Sequence, residues 1–448
     1  MTEATLVWSI WQDLLDRFAC CFSRRGFHRF AEWITAMAIN VEEHTITQSV
    51  LALERPDDWK AMERFAEYGA WRTASVTWRL TRLIETAPGR LWYGYHVWAV
   101  DDTKAHRCGA DVWGTCTFHE YTARCPNRAT TVRAHNWVVL GALLSNSDQP
   151  AWFLPTSGRL YFRQSQLPIQ PREPGGTEPF RTKCELAVEL IREQARLVGG
   201  PHLGVFDGGY ALGNVVRPLV LPQDGSPRIE FLTRLRQDAR LYALPPTERP
   251  KGKRGPMPRW GQKLPPPRQG GRWAGPWHVG FAFVYGRMRQ IRWKELVCLW
   301  WVLGHEAPVK VIVARVEGYK KRFALVTSAL NLTGLQMVEL FAARFRQEDA
   351  FRDLKQRLGW EECRAWTKNP IERTIQAQWV TLSLLRLAQF RLESAGEVDW
   401  WFRPPWNKDK DRPSVLDLER LMRRHREEIQ RFLSEWLGTE EKAQEDAA

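Results

Sequence analysis

Two aspartate-bearing segments follow short apolar runs. Residues 96–100 lead into Asp101-Asp102-Thr103, and residues 203–206 lead into Asp207-Gly208-Gly209. A strand end is where a rigid sheet delivers a side chain to solvent, and open α/β sheets place their sites at such edges. Farther along, Phe341, Arg344, Glu348 and Lys355 stand three, four and seven residues apart, which at 3.6 residues per turn sets them along one helical stripe. Carboxylates are the oxygen donors that hard divalent cations take, and arginine and lysine are the partners of phosphate. The same residues have plainer uses. An aspartate after a strand forms turns or caps helices. Arg344 with Glu348 can be a solvated helix ion pair contributing about 0.2–0.5 kcal/mol.

Elements that would position these groups are readable from periodicity. Residues 5–85 repeat Leu6, Ile10, Leu14 and Phe18 at helical spacing, with similar patterns over 30–46 and 59–83, and Pro88-Gly89 closes the region. Strands are expected over 96–100, 136–144 and 151–162, joined as a meander, then a helix over 180–198 stopped by Gly199-Gly200-Pro201. Strands over 203–206 and 228–236 complete a β-β-β-α-β-α-β order, the signature of a mixed sheet with flanking helices in the α/β class. Thr333 is a candidate N-cap for one long helix over 334–358, a second helix covers about 371–393, and a last one, capped by Ser414 with Asp417 three residues on, runs to about Leu437.

The run 245–277 interrupts this order with prolines 245, 246, 250, 256, 258 and 265–267, so neither a helix nor a central strand can persist there. Between Arg249 and Lys294 lie twelve Lys or Arg and no Asp or Glu, a local charge close to the +14 of the whole 448-residue chain. Trp260, Trp273, Trp277 and Trp293 are interleaved with those charges, and strands are expected over 279–285, 296–302, 309–316 and 323–329. A basic excess of that size suits a polyanionic partner, and tryptophans beside it suit base stacking as well as packing. The 44% hydrophobic share excludes a disordered chain. Eight cysteines are too sparse for a disulfide scaffold, and the longest apolar runs fall far short of the roughly 20 residues that cross a bilayer.

Taken together, Asp-Thr after a first strand, Asp after a later strand, a β-rich insertion, and aromatic-x2-Arg-x3-Glu-x6-Lys on a helix resemble the cut-and-paste insertion-sequence transposases of the DDE superfamily. Their helix signature is usually written Tyr, Arg, Glu, Lys; Phe341 stands in the tyrosine position, keeping a stacking face and losing the hydroxyl. The resemblance spans about 98–390. It implies an RNase H-like core in which Asp102, Asp207 and Glu348 are the catalytic metal ligands for Mg²⁺, with Mn²⁺ as a substitute. Three carboxylates can hold two hard ions against a scissile phosphate, stabilising the attacking and leaving oxygens of an in-line displacement. Periodicity does not choose between Asp101 and Asp102. The motif's aspartate directly before threonine favours Asp102, which would turn Asp101 to the opposite face of the strand.

The same resemblance assigns DNA contacts to Phe341, Arg344 and Lys355, and, in the basic insertion, to Arg249, Lys251, Lys253, Arg254, Arg259 and Trp260. The expected organisation is a helical DNA-binding domain over 1–90, the catalytic core over 91–236 and 331–395, a β-rich basic insertion domain over 237–330, and a helical C-terminal region over 396–448. The partner would be double-stranded DNA at transposon ends and target, bound by a homodimer in a cytoplasmic, nucleoid-associated setting without a membrane span. A nuclease on the same core without strand joining, and a non-catalytic DNA-binding derivative, are the alternatives. A rival cluster of His106, Cys108, Cys116, His119 and Cys125 contains a zinc-like Cys-x2-His spacing but no pair of CxxC knuckles, and reads as a loop with scattered thiols.

Overall fold

A computed structural model describes residues 2–120, 130–146, 149–167, 180–248, 255–396, 400–408, 410 and 412–445. The chain opens with helices α1 (Glu3–Asp16), α2 (Arg24–Ile39), α3 (Ile46–Ala52), α4 (Trp59–Tyr68) and α5 (Thr73–Ile84). Thr2, Ser23 and Thr45 cap the first three, each hydroxyl accepting a backbone N–H of the first turn.

Strands β1 (Leu91–Trp92), β2 (Tyr95–His106), β3 (Cys116–His119), β4 (Thr131–Asn146) and β5 (Gln149–Tyr161) follow, then α6 (Lys183–Leu197), β6 (His202–Phe206), α7 (Gly213–Val220) and β7 (Ile229–Leu235). The β4–β2 and β4–β5 pairs are antiparallel, as a meander requires, whereas β2–β6 and β6–β7 are parallel. All five residues of β6 are buried, as a parallel strand with both faces covered must be. The result is a mixed sheet flanked by helices, consistent with an RNase H-like core.

Beyond β7 come β8 (Leu241–Tyr242), β9 (Lys263–Leu264), β10 (His278–Val284), β11 (Arg287–Trp300), β12 (Val309–Val316) and β13 (Phe323–Thr327). Strand β13 pairs directly with β7, Ala324 opposite Leu235, and β12, β11 and β10 follow antiparallel. The strands after the proline-rich run therefore continue the core sheet, giving the order β3-β4-β2-β6-β7-β13-β12-β11-β8-β9.

The expected single helix over 334–358 divides into α8 (Gly334–Ala343), with its Thr333–Gln336 capping box, and α9 (Arg346–Arg357). Arg344 and Phe345 keep right-handed helical angles, but the N–H groups of Phe345, Gln347 and Glu348 bond three residues back instead of four. The last expected helix also divides, at His425, into α11 (Val415–Arg424) and α12 (Arg426–Glu445), after α10 (Lys368–Ser394).

Helix α10, about 40 Å long at 1.5 Å per residue, is the scaffold under the site. It is buried on nearly every side, and two of its buried polar side chains bond to neighbouring segments: Gln378 donates to the Leu358 carbonyl at 2.7 Å and Ser383 to that of Pro155 at 3.0 Å. Gly158 of β5 lets it approach closely, since a Cβ there would lie 2.5 Å from the Trp379 ring. The N-terminal helices lean on the same helix, where Arg373 donates to the carbonyls of Ala66, Gly69 and Trp71. Most of the large tryptophan complement is spent on packing of this kind, with Trp11, Trp33, Trp98 and Trp360 fully buried.

Candidate active site

Strand pleating decides the site. Asp101 stands opposite Val139 and Asp102 opposite Val138 in β4, so the two carboxylates leave β2 on opposite faces. In the parallel ladder the last pair of β2 and β6 is Val100 with Phe206, which sets Asp101 and Asp207 side by side one step beyond it. Arg344 reaches this pair from the junction of α8 and α9, its guanidinium 2.9 Å from Asp101 Oδ2 and 3.8 Å from Asp207 Oδ1. Its face lies 5.8 Å from the Phe341 ring centroid.

The sequence expectation of Asp102 as the member of the pair joining Asp207 does not match this arrangement. Asp102 turns to the face covered by α6, where Oδ2 accepts from Lys183 Nζ at 2.5 Å and Oδ1 from the Tyr210 hydroxyl at 3.4 Å. The physical reason is alternation: one residue along a strand reverses the side chain, and β4 and β6 fix the register.

Electrostatics separate the two acids further. Burial pushes the Asp101 carboxyl up to about 6; Arg344 and the Asp102 N–H oppose this, and the neighbouring Asp102 and Asp207 charges add to it. Burial, with Asp102 beside it, also drives the Tyr210 hydroxyl well above its ordinary range, so it stays protonated and donates. Two neighbouring carboxylates suit a hard divalent cation: the donors are oxygens, and a cation relieves the crowding of charge.

Glu348 is exposed in the first turn of α9, four residues past Arg344, while its neighbour Gln347 is buried and donates to the Val139 carbonyl at 3.1 Å. Lys355 bends back to β2, donating to the Lys104 carbonyl at 2.5 Å, with Glu361 at 3.5 Å. The stripe thus brings Arg344 and Lys355 onto β2, with Phe341 beside Arg344. Among the described residues no three His, Cys, Asp or Glu side chains converge closely enough to hold an ion, so Glu348 is not gathered with the two aspartates. Of the rival thiol and imidazole cluster, Cys116 is buried, Cys108 and His106 are exposed, and Cys125 lies outside the described residues.

Arg249, Lys251, Lys253 and Arg254 lie outside the described residues, and Arg259 is exposed. Trp260 packs in an aromatic cluster, its ring 4.9 Å from Tyr242, 5.2 Å from Trp301 and 5.9 Å from His305. Trp273 is buried and donates to the Pro265 carbonyl. Trp277 instead gathers cations, with Arg322, Lys294 and Arg292 at 5.5, 5.8 and 6.0 Å from its ring.

Three residues near the site, Lys183, Tyr210 and Tyr285, were not singled out in the sequence, and Asp101 was weighed there only as the alternative to Asp102. Lys183 and Tyr210 carried no motif signal. Asp101 did carry one, because it follows its apolar run at the same offset as Asp207 follows its own, which is how two parallel strands in register present a pair. Tyr285 sits with Gly286 at the β10–β11 hairpin tip, both at positive φ (52° and 80°) as a tight two-residue turn needs, and its ring lies 6.4 Å from the exposed Phe345.

No curated protein matches the chain. A sequence family described as DDE superfamily endonuclease matches residues 17–297, well over half of the chain, a span that includes Asp101, Asp102 and Asp207 and stops before Arg344 and Glu348. With that match, and with two aspartates side by side just beyond the β2–β6 parallel ladder of an RNase H-like sheet, the chain belongs to the DDE superfamily endonucleases.

Proposed function

We propose that this endonuclease is the transposase of an insertion sequence, cutting the element's ends and joining them to target DNA. Members of its superfamily act on DNA and generally use divalent metals. The observation that carries the reading is the Asp101–Arg344–Asp207 constellation, in which carboxylates from β2 and from the end of β6 share one guanidinium.

Asp101, Asp207 and Glu348 are the residues we assign to hold Mg²⁺ or Mn²⁺, which when bound would supply the positive charge that in-line displacement at a phosphate needs. Asp101 takes the place that the sequence pattern gave to Asp102. Glu348 is assigned from the helix motif, as an exposed residue one helical turn past Arg344. Arg344 neutralises the aspartates in the DNA-free chain and offers a planar, bidentate grip to a phosphate beside the cleaved bond. Lys355 reads the backbone next to it, and Phe341 supports the Arg344 guanidinium. Arg249, Lys251, Lys253, Arg254 and Arg259 are assigned to sequence-independent backbone contacts, whose affinity falls steeply with salt. Trp260 offers them an aromatic neighbour. A homodimer holding two ends completes the proposal.

Purified chain incubated with Mg²⁺ and DNA carrying the repeats that flank its own gene should yield both cut ends and joined product. Cut ends without joined product would leave the nuclease reading in its place, and binding without cleavage would leave the non-catalytic one.

A further inference from the structure

The aspartate that turns away from the site has partners of its own. We propose that Asp102, Lys183 and Tyr210 form a brace behind the active site that fixes the spacing of Asp101 and Asp207; all three are positioning residues. The inference rests on the reading of Asp101 and Asp207 as metal ligands.

One carboxylate ties three segments together. Asp102 is the residue next to Asp101 in β2, and its N–H donates to Asp101 Oδ1 at 2.9 Å. Tyr210 belongs to the turn that Asp207 opens, its N–H donating to the Asp207 carbonyl at 3.0 Å and its ring packing 6.2 Å from Phe206. The Tyr210 hydroxyl on Asp102 therefore links strand β2, which carries Asp101, to the turn that carries Asp207. Lys183, the first residue of α6, anchors the same carboxylate to a third element and lies 5.5 Å over the Tyr161 ring of β5. Its charge also compensates Asp102, so that Asp102 adds less to the negative potential on the other face.

Front and back differ in what happens when DNA arrives. Arg344 spans Asp101 and Asp207 on the front, where a phosphate competes for its guanidinium. The brace lies on the opposite face and keeps its bonds when Arg344 turns to the substrate. Outer partners that orient metal-ligating carboxylates typically change metal affinity by about 10- to 100-fold when removed.

The test is Mn²⁺ binding by titration calorimetry to the full-length chain without DNA. Tyr210→Phe, which keeps the ring and removes only the hydroxyl, and Asp102→Asn should each bind about tenfold more weakly. The double variant should bind no more weakly than Asp102→Asn, because both changes break one bond. Lys183→Met should weaken binding and Lys183→Arg should restore it, with thermal midpoints close to wild type throughout. Asp101→Asn should abolish binding. Wild-type affinity in Tyr210→Phe and Asp102→Asn, with binding lost in Asp101→Asn, would overturn the brace and leave the ligand assignment standing. Loss of binding in Asp102→Asn with Asp101→Asn unaffected would overturn both, making Asp102 the ligand.

Discussion

The two faces of the sheet at Asp101 and Asp102 of β2 meet at adjacent residues and have opposite characters. On one, Asp101 is drawn into a crowded site with Asp207 and Arg344, and burial pushes its carboxyl up to about 6. On the other, Asp102 sits in a relaxed setting with one cation and one hydroxyl donor. A rise of roughly 3.3 Å along the strand separates a group strained by charge from a group satisfied by its neighbours. The lesson is that pleat alternation, and not adjacency in the chain, decides which acid enters a site.

Four changes would break or sharpen that contrast. The largest effect belongs to the front face: Glu348→Gln or Asp207→Asn should lower Mg²⁺-dependent cleavage of the element ends by at least about a thousandfold, read from single-turnover gel assays. Retention of a tenth of the activity in either would remove that residue from the ligand set. Arg344→Ala comes next. It leaves two partly buried carboxylates without their shared cation, and urea titration at pH 7 should show a loss of about 2–3 kcal/mol.

A third change probes the front face farther along. His135, opposite Ala105, is buried between Arg107 and the Trp113 carbonyl, and burial holds its imidazole down to about 3. Its folded value lies below the ordinary 6.5, so between pH 6.5 and 3 the unfolded chain takes up a proton that the folded chain refuses. Stability from this group is thus full above pH 6.5 and is lost as pH falls through that window. Relative to His135→Gln, the wild-type chain should lose about 2–3 kcal/mol between pH 7 and 4.5 in urea titrations. The smallest effect belongs to the back face. Lys183 and Asp102 expose 32% and 27% of their side chains, so Lys183→Met should cost less than about 1 kcal/mol of stability. A cost of several kcal/mol would erase the contrast between the faces.

Much of this was legible in the residues. The apolar runs before Asp102 and Asp207 marked β2 and β6, the turn and helix signals between them gave the α/β order, and Thr333 and Ser414 marked helix starts that the structure retains. What escaped were properties of pairing. The choice between Asp101 and Asp102 depends on the β2–β6 register, which two separate runs reveal only when aligned at their ends. The extension of the sheet through β13 depends on a contact between residues about ninety positions apart, Leu235 and Ala324, that no local pattern encodes. The break at Arg344 also escaped, because helical periodicity persists across a turn tightened to three-residue bonds. Lys183 and Tyr210 came from segments with no motif and became visible only through distance.

One paired measurement tests the central claim most directly: the rate of Mg²⁺-dependent cleavage of the element ends by Asp101→Asn and by Asp102→Asn under identical conditions. The account predicts that Asp101→Asn has no detectable cleavage while Asp102→Asn retains about a tenth of the wild-type rate. Cleavage by Asp101→Asn at or above the rate of Asp102→Asn would contradict it.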